Sequence, residues 1–486
     1  MNTRQPVIIG ISHIEQRQDD IAIAKEPIEL MIDAVHEAAA DAGNLEVLKP
    51  NSIRVIKGSW PYENPAKAIA ERIGHTGAET VISPFGGNFV QTVMNLSAVD
   101  IQNGVHDLII MTGAECGNTQ AKAAKAKAEL NWQALPGEPD RRIGAEKDMR
   151  HNAERAIRLG RPIQVYPIME IALRHELGLG VGAHLEHISQ LWSRFSDVAS
   201  RNPNAWIKDA RTAEEIKTIS KVNRPVSFPY TKFLNSNNNV DQAAAIILCS
   251  VAKAQALGVP ESQWVYPWCG SDAQDHYYLS NRDNFYSSPA IRFAGNRCLE
   301  MADTSANELD LVDVYSCFPV AVQVACRELG LDLERPLTVT GGLTWAGGPL
   351  NNYVMHSIVR TAQLLREASQ TQKGLITANG GYITKHAFGF YSNAAPEQPF
   401  RHEDLQAKVD ATPKRDVIID HEGSGNIESY GVMYGPDGLD KAFVAARLQD
   451  GRRAWGICRD QDVLQALIEQ DLCGADVHLK DHVATI

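Results

Sequence analysis

The fold is decided by residues 84–115, which read PFGGNFVQTVMNLSAVDIQNGVHDLIIMTGAE. The adjacent glycines Gly86 and Gly87 predict a tight turn, and Asn88 is a residue type whose side chain caps helix N-termini. The apolar spacing that follows predicts a helix ending at Gly104 and an apolar strand directly after it. Because a strand, a glycine-rich turn, a helix and a second strand follow one another, we expect an α/β sheet covered by helices on its faces.

The second half of the chain repeats this order of elements. A predicted helix over residues 288–303 leads into the strand-like segment 309–318 (LDLVDVYSCF). The segments 337–342 (LTVTGG) and 374–381 (GLITANGG) predict further strands, separated by helices. Since the repeat is far longer than a solenoid unit, we predict two homologous α/β halves, the first with an amphipathic helix over residues 27–43.

Composition indicates where the units begin and end. A stretch rich in Lys, Arg and Ala predicts a largely helical insertion in the first half, which resumes at the apolar run VDQAAAIILCS. Residues 392–414 are polar, contain three prolines and indicate a linker. We expect the segment beyond it to be a small β-rich, OB-like module, and a chain ending near Lys408 to stay soluble without it. The predicted units are 1–265 with the insertion 117–225, then 266–405, then 410–486.

The composition is that of an ordinary globular protein, with 44% hydrophobic and 22% charged residues in a chain of 486. No stretch approaches the ~18 apolar residues of a membrane span and no signal-peptide core is present, so we expect a cytoplasmic protein without membrane contact. A net charge of −12 argues against nucleic-acid binding, which depends on phosphate neutralisation. The eight cysteines include no CxxC pair and no histidine at metal spacing, which favours neither a disulfide framework nor a metal site.

Several separated segments carry a family resemblance. Residues 84–115, the run VDQAAAIILCS, the motif DVYSCF and residues 341–353 (GGLTWAGGPLNNY) resemble the thiolase superfamily over about residues 1–400. Within it the chain is similar to the thiolase-like branch whose members carry an additional C-terminal domain. The resemblance implies a layered αβαβα thiolase fold of two duplicated α/β halves with a helical loop domain. It also implies coenzyme A as substrate or ligand and no permanently bound cofactor.

The residues that carry thiolase chemistry are largely missing. The position that matches the nucleophilic cysteine of thiolases is Gly87, and no cysteine precedes Cys116, so an acyl-enzyme on the first catalytic loop is excluded in any register. The turn that matches the thiolase Gly-His-Pro reads GGP at residues 347–349, without the histidine. Residues 377–381 (TANGG) match the last thiolase motif, and the second cysteine is absent from them as well.

The candidate catalytic residues that remain are Tyr315, Cys317, Asn379 and His386. Tyr315 takes the polar first position of the third thiolase motif, where a phenol can donate to a carbonyl oxygen or transfer a proton. Cys317 lies in the same motif, Asn379 can donate a hydrogen bond, and His386 carries an imidazole, a group that can act as a general acid or base. A structural role is the alternative for Tyr315, Cys317 and His386: a packed tyrosine, a small buried hydrophobe and a histidine at a strand end.

Free backbone N–H groups at helix N-termini bind carbonyl oxygens and phosphates, so the motif loops supply the candidate CoA contacts. These candidates are Gly86, Gly87, Asn88, Gly347, Gly348, Gly380 and Gly381. Lysines and arginines of the insertion lie where thiolases cover the nucleotide of CoA and are candidates for pairing with its phosphates. A solvated helical face is the alternative for each of them.

Three functions fit these residues. The first is acyltransferase-class chemistry on an acyl-CoA thioester, acetyl-CoA acetyltransferase-like but without the cysteine. The second is a retro-aldol-type lyase acting on a CoA-linked substrate through Tyr315; its relatives carry a second tyrosine where this chain has Gly348, so Tyr353 or His386 would have to complete the proton relay. The third is a non-catalytic acyl-CoA-binding or scaffold protein. We expect an acyl-CoA partner and a monomer or homodimer, since thiolases associate through the sheet edge after the nucleophile helix.

Overall fold

The computed structural model describes residues 2–486 and contains three β-sheets with helices between and around them. The strands in chain order are β1 Pro6–Glu15, β2 Ser52–Val55, β3 Glu79–Ile82, β4 Leu108–Cys116, β5 Arg141–Arg142, β6 Pro225–Phe228, β7 Tyr230–Thr231, β8 Asp241–Ser250, β9 Tyr266–Gln274, β10 Leu311–Asp313, β11 Lys373–Gly380, β12 Lys385–Ser392, β13 Arg401–Asp404, β14 Gly423–Gly435, β15 Gly438–Arg447, β16 Arg453–Cys458, β17 Asp476–Lys480 and β18 Val483–Thr485.

The helices in chain order are α1 Pro27–Asp41, α2 Pro65–Arg72, α3 Phe89–Gln102, α4 Gly117–Ala126, α5 Asn152–Ala156, α6 Pro162–Glu176, α7 Val181–Arg201, α8 Ala213–Lys217, α9 Val251–Ala256, α10 Asn296–Met301, α11 Pro319–Leu329, α12 Gly342–Trp345, α13 Tyr353–Glu367, α14 Gln406–Asp410 and α15 Gln461–Glu469. A π-helical turn, Ile291–Gly295, leads into α10. None of the helices within residues 2–486 has the length and apolar character needed to cross a membrane.

The first sheet has the strand order β1-β8-β4-β2-β3-β5. Its strands β4 and β8 pair antiparallel, and every residue of both is buried. Strands covered on both faces read as near-continuous apolar runs, which is the pattern seen in both. The helix predicted over residues 27–43 is α1, whose apolar side packs against β1, β4 and β8.

The second sheet has the order β10-β11-β12-β9-β13. Helices α3 and α13 lie between the two sheets, because each contacts β8 of the first sheet and both β11 and β12 of the second. Helices α1 and α2 cover the outer side of the first sheet, and α10 with the preceding π-helical turn covers the second. The predicted αβαβα layering of two α/β halves is therefore confirmed.

Strand predictions in the second half are wrong in part. The strand expected over residues 309–318 is only the short β10, and segment 337–342 forms no strand. The carboxylate of Asp313 accepts hydrogen bonds from the N–H of Val339 (3.0 Å) and the hydroxyl of Thr338 (2.9 Å). Because a side chain takes these donors, the segment loops around Asp313 instead of joining a sheet.

The polar segment 392–414 is more than a linker. It contains β13, which pairs in parallel with β9 at the edge of the second sheet, and it also contains α14. Charged residues are common on edge strands, where they oppose pairing with another chain. This position explains the sequence RHED of β13, which composition alone assigns to a surface crossing.

The resemblance to thiolases predicts self-association through a sheet edge that follows α3, and the first sheet differs from this expectation. The strand that follows α3 is β4, and it lies between β8 and β2 in the middle of the sheet. The prediction of a sheet edge there is wrong, because β2 and β3 extend the sheet beyond it. The edge on that side is the two-residue strand β5, which pairs in parallel with β3.

The third sheet combines the C-terminal strands β14 to β18 with β6 and β7, which begin where the predicted insertion 117–225 ends. Strand β14 pairs with β15 and β17, β15 with β16, and β18 with both β16 and β17, so the C-terminal strands close into a ring. Helix α15 connects β16 to β17. A small β-rich unit with one helix is thus present, and its assignment as an OB-like barrel stays a prediction.

Buried contacts join this ring to the rest of the protein. Strand β6 pairs antiparallel with β14, and the hydroxyl of Ser429 donates to the carbonyl of Ile168 in α6 (2.6 Å). The buried Arg453 donates to the carbonyls of Ser280 (2.6 Å) and Arg282 (2.7 Å). Because these contacts cross the predicted boundary between the units, the ring and the core support each other.

Candidate active site

A cavity of about 600 Å³ lies where the two halves and the insertion meet. The first half contributes the turn before α3, and the second contributes the segment after β10, the end of β11 and the start of β12. The insertion covers the cavity with α6 and the loop before it. Functional groups in its wall belong to Gly86, Gly87, Arg150, Arg161, Tyr166, Tyr315, Cys317, Asn379, Gly381 and Lys385. A volume of this size is typical of small-molecule sites.

Gly87 and Tyr315 are in direct contact in this cavity. A Cβ atom at residue 87 would lie 2.6 Å from the hydroxyl oxygen of Tyr315 and 2.5 Å from the carbonyl oxygen of Asn379. Both distances are shorter than Cβ atoms tolerate, so this position requires glycine for space. The Tyr315 hydroxyl therefore lies where the resemblance places the side chain of the thiolase nucleophile.

The hydroxyl of Tyr315 is protonated at neutral pH, because burial raises the pKa of this phenol. The ring is fixed by an edge-to-face contact with Tyr353, with centroids 5.5 Å apart, and the backbone N–H donates to the hydroxyl of Thr377 (2.9 Å). Among residues 2–486, the hydroxyl of Tyr315 has no hydrogen-bond partner. It is therefore a proton donor held in place and open to a ligand.

Asn379 and Cys317 lie beside this hydroxyl. The amide nitrogen of Asn379 donates to the hydroxyl of Tyr166 (3.1 Å) and lies 3.7 Å from the sulfur of Cys317. Tyr166 in turn donates to the carbonyl of Gly381 (2.9 Å), which fixes the amide orientation. Burial raises the pKa of Cys317 to about 12, so the group is a neutral thiol and a poor nucleophile.

Neither His386 nor Tyr353 lines this cavity. Successive side chains of a strand point to opposite faces, and His386 follows Lys385, which does line it. The buried ring of His386 lies 3.7 Å from the carboxylate of Asp275, Nε2 to Oδ2. The Tyr353 hydroxyl donates to the buried carboxylate of Asp313 (3.0 Å). His386 instead lines a small separate pocket that Tyr315 also lines, and Tyr353 contacts the Tyr315 ring from outside the main cavity, so a relay through either residue stays a prediction.

Asn88 does not cap α3, contrary to the prediction. Its backbone already has helical dihedral angles (φ −71°, ψ −25°), and its side chain makes no capping hydrogen bond. A capping side chain needs an extended backbone at its own residue, which explains the difference. The Asn88 side chain instead packs on Gly380, where a Cβ would lie 2.4 Å from its Oδ1 atom.

Only some of the glycines predicted to contact CoA line the cavity. Those that line the cavity are Gly86, Gly87 and Gly381. Gly347 instead packs on Gln242, whose Oε1 atom would lie 2.4 Å from a Cβ there. Gly348 donates its N–H to the carbonyl of Asn237 (2.9 Å). The GGP turn therefore supports the loop behind the cavity and offers no contact inside it.

Lys385 is a cavity residue that no motif predicts. It is 7% exposed, its Nζ donates to the carbonyl of Phe85 (3.1 Å), and the same atom lies 5.2 Å from the ring centroid of Phe89. Burial lowers the pKa of this lysine. A charged residue at the start of the apolar strand KHAFGFYS is a signal that could have revealed it, since lysine is rarely buried without a partner.

Two arginines of the insertion reach the cavity wall. Arg150 and Arg161 are exposed and lie at its mouth, and Arg150 is 3.6 Å from the carboxylate of Asp148. The other lysines and arginines of residues 117–225 do not line the cavity. The mouth of the cavity is therefore cationic, although most of the predicted basic residues form a solvated face.

Comparison with known proteins agrees with this geometry. Residues 404–482 match the family model of the thiolase-like protein type 1 additional C-terminal domain. An acetyl-CoA acetyltransferase of Methanocaldococcus jannaschii is 24% identical over 313 residues, covering 62% of this chain and 70% of the relative. Another, from Methanothermobacter thermautotrophicus, is 21% identical over 371 residues, covering 71% and 87%.

Two solved structures are similar in fold. A monomeric SCP2-thiolase like protein type 1 from Mycobacterium smegmatis superposes with a TM-score of 0.86 and 28% identity, covering 100% of both chains. The Ltp2-ChsH2(DUF35) aldolase superposes with a TM-score of 0.62 and 15% identity, covering 81% of this chain and 99% of that one. The full-length likeness and the matching C-terminal domain lead to one conclusion: the chain belongs to the thiolase superfamily, in the thiolase-like branch that carries an additional C-terminal domain.

Proposed function

We propose that the protein binds an acyl-CoA thioester in this cavity and catalyses acid/base chemistry of the retro-aldol type on its acyl group, without an acyl-enzyme. The observation that carries the proposal is the contact between Gly87 and Tyr315. A protonated hydroxyl stands where the nucleophile would be, and the glycine offers no atom to acylate. Because the raised pKa of Cys317 keeps its thiol neutral, it does not replace the missing nucleophile.

The polarity of the cavity indicates how the ligand would lie. Aromatic and apolar side chains such as Tyr166, Phe318 and Ile163 line its body and suit the pantetheine and acyl carbons. The arginines Arg150 and Arg161 at its mouth suit the phosphates of CoA. In this orientation the thioester carbonyl reaches the hydroxyl of Tyr315.

The proposed step balances with Tyr315 alone as the proton-transfer group. In a β-hydroxyacyl thioester the β-hydroxyl loses its proton and the bond between Cα and Cβ breaks. The electron pair of this bond moves onto the thioester, which becomes an enolate. Protonation of Cα then gives a shorter acyl-CoA beside an aldehyde or ketone. Because the phenol already holds a proton, the two transfers must be coupled: Tyr315 gives its proton to Cα while the β-hydroxyl proton passes to the phenol oxygen, so the phenol ends as it began and no second base is needed.

Two alternatives keep the same ligand. The acetyl-CoA acetyltransferase relatives favour acyl transfer, which would here pass directly between two thioesters without a covalent intermediate. A role in binding acyl-CoA without turnover is favoured by the absence of a reactive thiolate from the cavity wall within residues 2–486. The three cases predict different products from the same substrates.

The test is product analysis by mass spectrometry after incubation with acetyl-CoA, longer acyl-CoA and β-hydroxyacyl-CoA esters, with binding measured by calorimetry. Retro-aldol chemistry gives a shorter acyl-CoA and a carbonyl compound, and the intact protein mass stays unchanged. Free CoA with a lengthened ester would indicate acyl transfer, and binding without products would leave the binding role. No heat with millimolar ligands would contradict all three.

The variant Tyr315→Phe sharpens this test, because it removes the hydroxyl and keeps the ring. We expect a loss of at least ~10-fold in rate with ligand affinity retained. Tyr391→Phe is the matched control: Tyr391 is also buried, and its hydroxyl donates to Gln91 (2.9 Å) outside the cavity. An unchanged rate in Tyr315→Phe would make Tyr315 a packing residue and refute the lyase proposal.

We also propose that the chain acts as a monomer. The edge of the first sheet beyond β3 is occupied by β5, a two-residue strand made of two arginines. Short, charged edge strands oppose pairing with a second sheet. We keep the three predicted units as a proposal with one change, because β6 and β7, which begin where the predicted insertion ends, complete the C-terminal sheet.

A further inference from the structure

Lys385 presents a cation to the cavity. Only 7% of the residue is exposed, and its Nζ has one hydrogen bond, to the carbonyl of Phe85 at 3.1 Å. Among residues 2–486 no carboxylate oxygen lies within 4.0 Å of this nitrogen. An ammonium group makes three hydrogen bonds when fully satisfied. The group therefore has donors left for a ligand.

The charges around Lys385 do not cancel. The nearby carboxylate is that of Glu146, and its Oε1 is hydrogen-bonded to Lys57 at 2.5 Å. The cavity wall itself contains one carboxylate, Asp148, which is already paired with Arg150 and Arg155. This corner thus carries a net positive charge. Burial of an incompletely paired charge is unfavourable, and an anionic ligand would remove that cost.

The position of Lys385 relative to Tyr315 limits the size of that ligand. A Cβ at Gly86 would lie 2.7 Å from the Nζ of Lys385, and a Cβ at the next residue, Gly87, would lie 2.6 Å from the Tyr315 hydroxyl. Consecutive Cα atoms are only about 3.8 Å apart. With the thioester carbonyl at Tyr315, an anionic oxygen at Lys385 belongs a few carbon atoms away along the acyl chain.

We propose that Lys385 makes this cavity selective for CoA thioesters of short dicarboxylic acids, whose distal carboxylate binds its ammonium group. The proposal rests on the binding of acyl-CoA proposed above and adds the class of acyl group. The carboxylate would take the free donors of Nζ and balance the charge left by the pairing of Glu146 with Lys57. A neutral acyl chain of the same length would leave the Nζ donors without an acceptor and the positive charge of Lys385 without a counterion.

The experiment compares the dissociation constants of CoA, butyryl-CoA and succinyl-CoA by calorimetry. Butyryl-CoA and succinyl-CoA have acyl chains of equal carbon number and differ in the terminal carboxylate. We expect the native protein to bind succinyl-CoA at least ~10-fold more tightly than butyryl-CoA, the size of a charge-assisted hydrogen bond. Lys385→Met should abolish this preference and leave the affinities for CoA and butyryl-CoA within about twofold.

Two further variants keep the result interpretable. Lys385→Gln retains a donor for Phe85 and should also lose the preference, which guards against misfolding of the methionine variant. Lys147→Met removes the same charge from an exposed residue beside the cavity mouth and should keep the preference. Equal affinity of the native protein for the two esters would overturn the proposal, as would a preference that survives in both Lys385 variants.

The outcome also separates this proposal from the proposed function. Binding of CoA and butyryl-CoA without a preference for succinyl-CoA would reject the dicarboxylate class and leave acyl-CoA binding intact. Absence of binding by all three ligands would reject both. Tighter binding of succinate alone, with no contribution from CoA, would show an anion site unrelated to thioesters and would also overturn the proposal.

Discussion

The imidazole rings of His13 and His356 meet edge to face, with centroids 4.1 Å apart, between β1 and α13. His356 is buried and His13 half-buried, yet Nε2 of His13 and Nδ1 of His356 are enclosed without a hydrogen-bond partner among residues 2–486. Burial lowers the pKa of His13 to about 3 and that of His356 well below its usual value. Both rings are therefore neutral in the folded protein.

This pair predicts a loss of stability in mild acid. In the unfolded chain both rings take up a proton near pH 6.5, whereas the folded protein excludes the proton from His13 down to a pH of about 3. The unfolded state thus binds more protons between these values, and the free energy of unfolding falls as pH falls through this window, by about 1.4 kcal/mol per pH unit for each histidine. Urea unfolding at pH 7.5, 6.5, 5.5 and 4.5 measures this slope.

The variant His13→Phe keeps a ring and removes one titrating group, so its slope below pH 6.5 should be smaller than that of the native protein. His36→Gln, on an exposed position of α1, is the control and should keep the native slope. A His13→Phe slope equal to the native one would assign the acid sensitivity to other groups.

The contact between Gly87 and Tyr315 predicts that the missing nucleophile cannot simply be restored. Gly87→Cys places a Cβ against the Tyr315 hydroxyl and the backbone of Asn379, and the backbone cannot move out of the way cheaply. We expect a destabilisation of about 1–3 kcal/mol, weaker CoA binding and no gain of thiolase activity. Thermal unfolding and intact mass after acetyl-CoA incubation measure this.

Gly77→Ala is the control for Gly87→Cys, because a Cβ at Gly77 meets no atom within 4 Å and should leave stability unchanged. In the double variant Gly87→Ala with Tyr315→Phe, one of the two short contacts is removed. Its unfolding temperature should therefore lie above that of Gly87→Ala alone. A stable, acylated Gly87→Cys protein would show that the space beside Tyr315 is larger than the structure indicates.

Arg453 predicts how strongly the C-terminal ring depends on the core. The residue is 0% exposed, forms an ion pair with Glu428 (2.6 Å) and donates to the carbonyls of Ser280 and Arg282. Arg453→Met would leave two buried carbonyls without this donor and the Glu428 carboxylate with only the more distant Arg415 (3.8 Å), at a cost of roughly 3–5 kcal/mol. Urea unfolding followed by circular dichroism measures the loss.

The neighbouring Arg452→Met is its matched control, since Arg452 is exposed and pairs with Asp450 on the surface, so this variant should leave the free energy of unfolding nearly unchanged. The contacts between the ring and the core also change the expectation for a chain ending near Lys408, which the sequence predicts to stay soluble. We expect this chain to aggregate, because removal of the ring uncovers Ile168 and Ile171 of α6. A soluble, helical truncated chain would show instead that the ring is an independent module.

The short, charged edge strand β5 predicts a monomer in solution. Light scattering after size exclusion should give a mass near 53.3 kDa at all protein concentrations. The two arginines of β5 lie beyond β3, where a second sheet would have to pair. A mass twice this value would contradict the proposal and would indicate that another surface carries the dimer.

Much of the fold follows from local patterns. The glycine turn, α3 and β4 are recognisable from residues 84–115 because helix and strand periodicity and a helix-terminating glycine are properties of neighbouring residues. The absence of a nucleophile is equally certain from the sequence, since no cysteine precedes Cys116. By contrast, segment 337–342 reads as a strand and is none, because its backbone donors bind the distant carboxylate of Asp313.

The sequence by itself determined the layered fold, the family resemblance and the absence of a cysteine nucleophile from the first catalytic loop. Only the tertiary structure decided which of the adjacent residues Lys385 and His386 enters the cavity, and that the Tyr315 hydroxyl fills the space beside Gly87. Strand periodicity places neighbours on opposite faces but does not say which face meets the other half of the protein. That choice depends on packing between segments far apart in the chain, and local propensity carries no information about it.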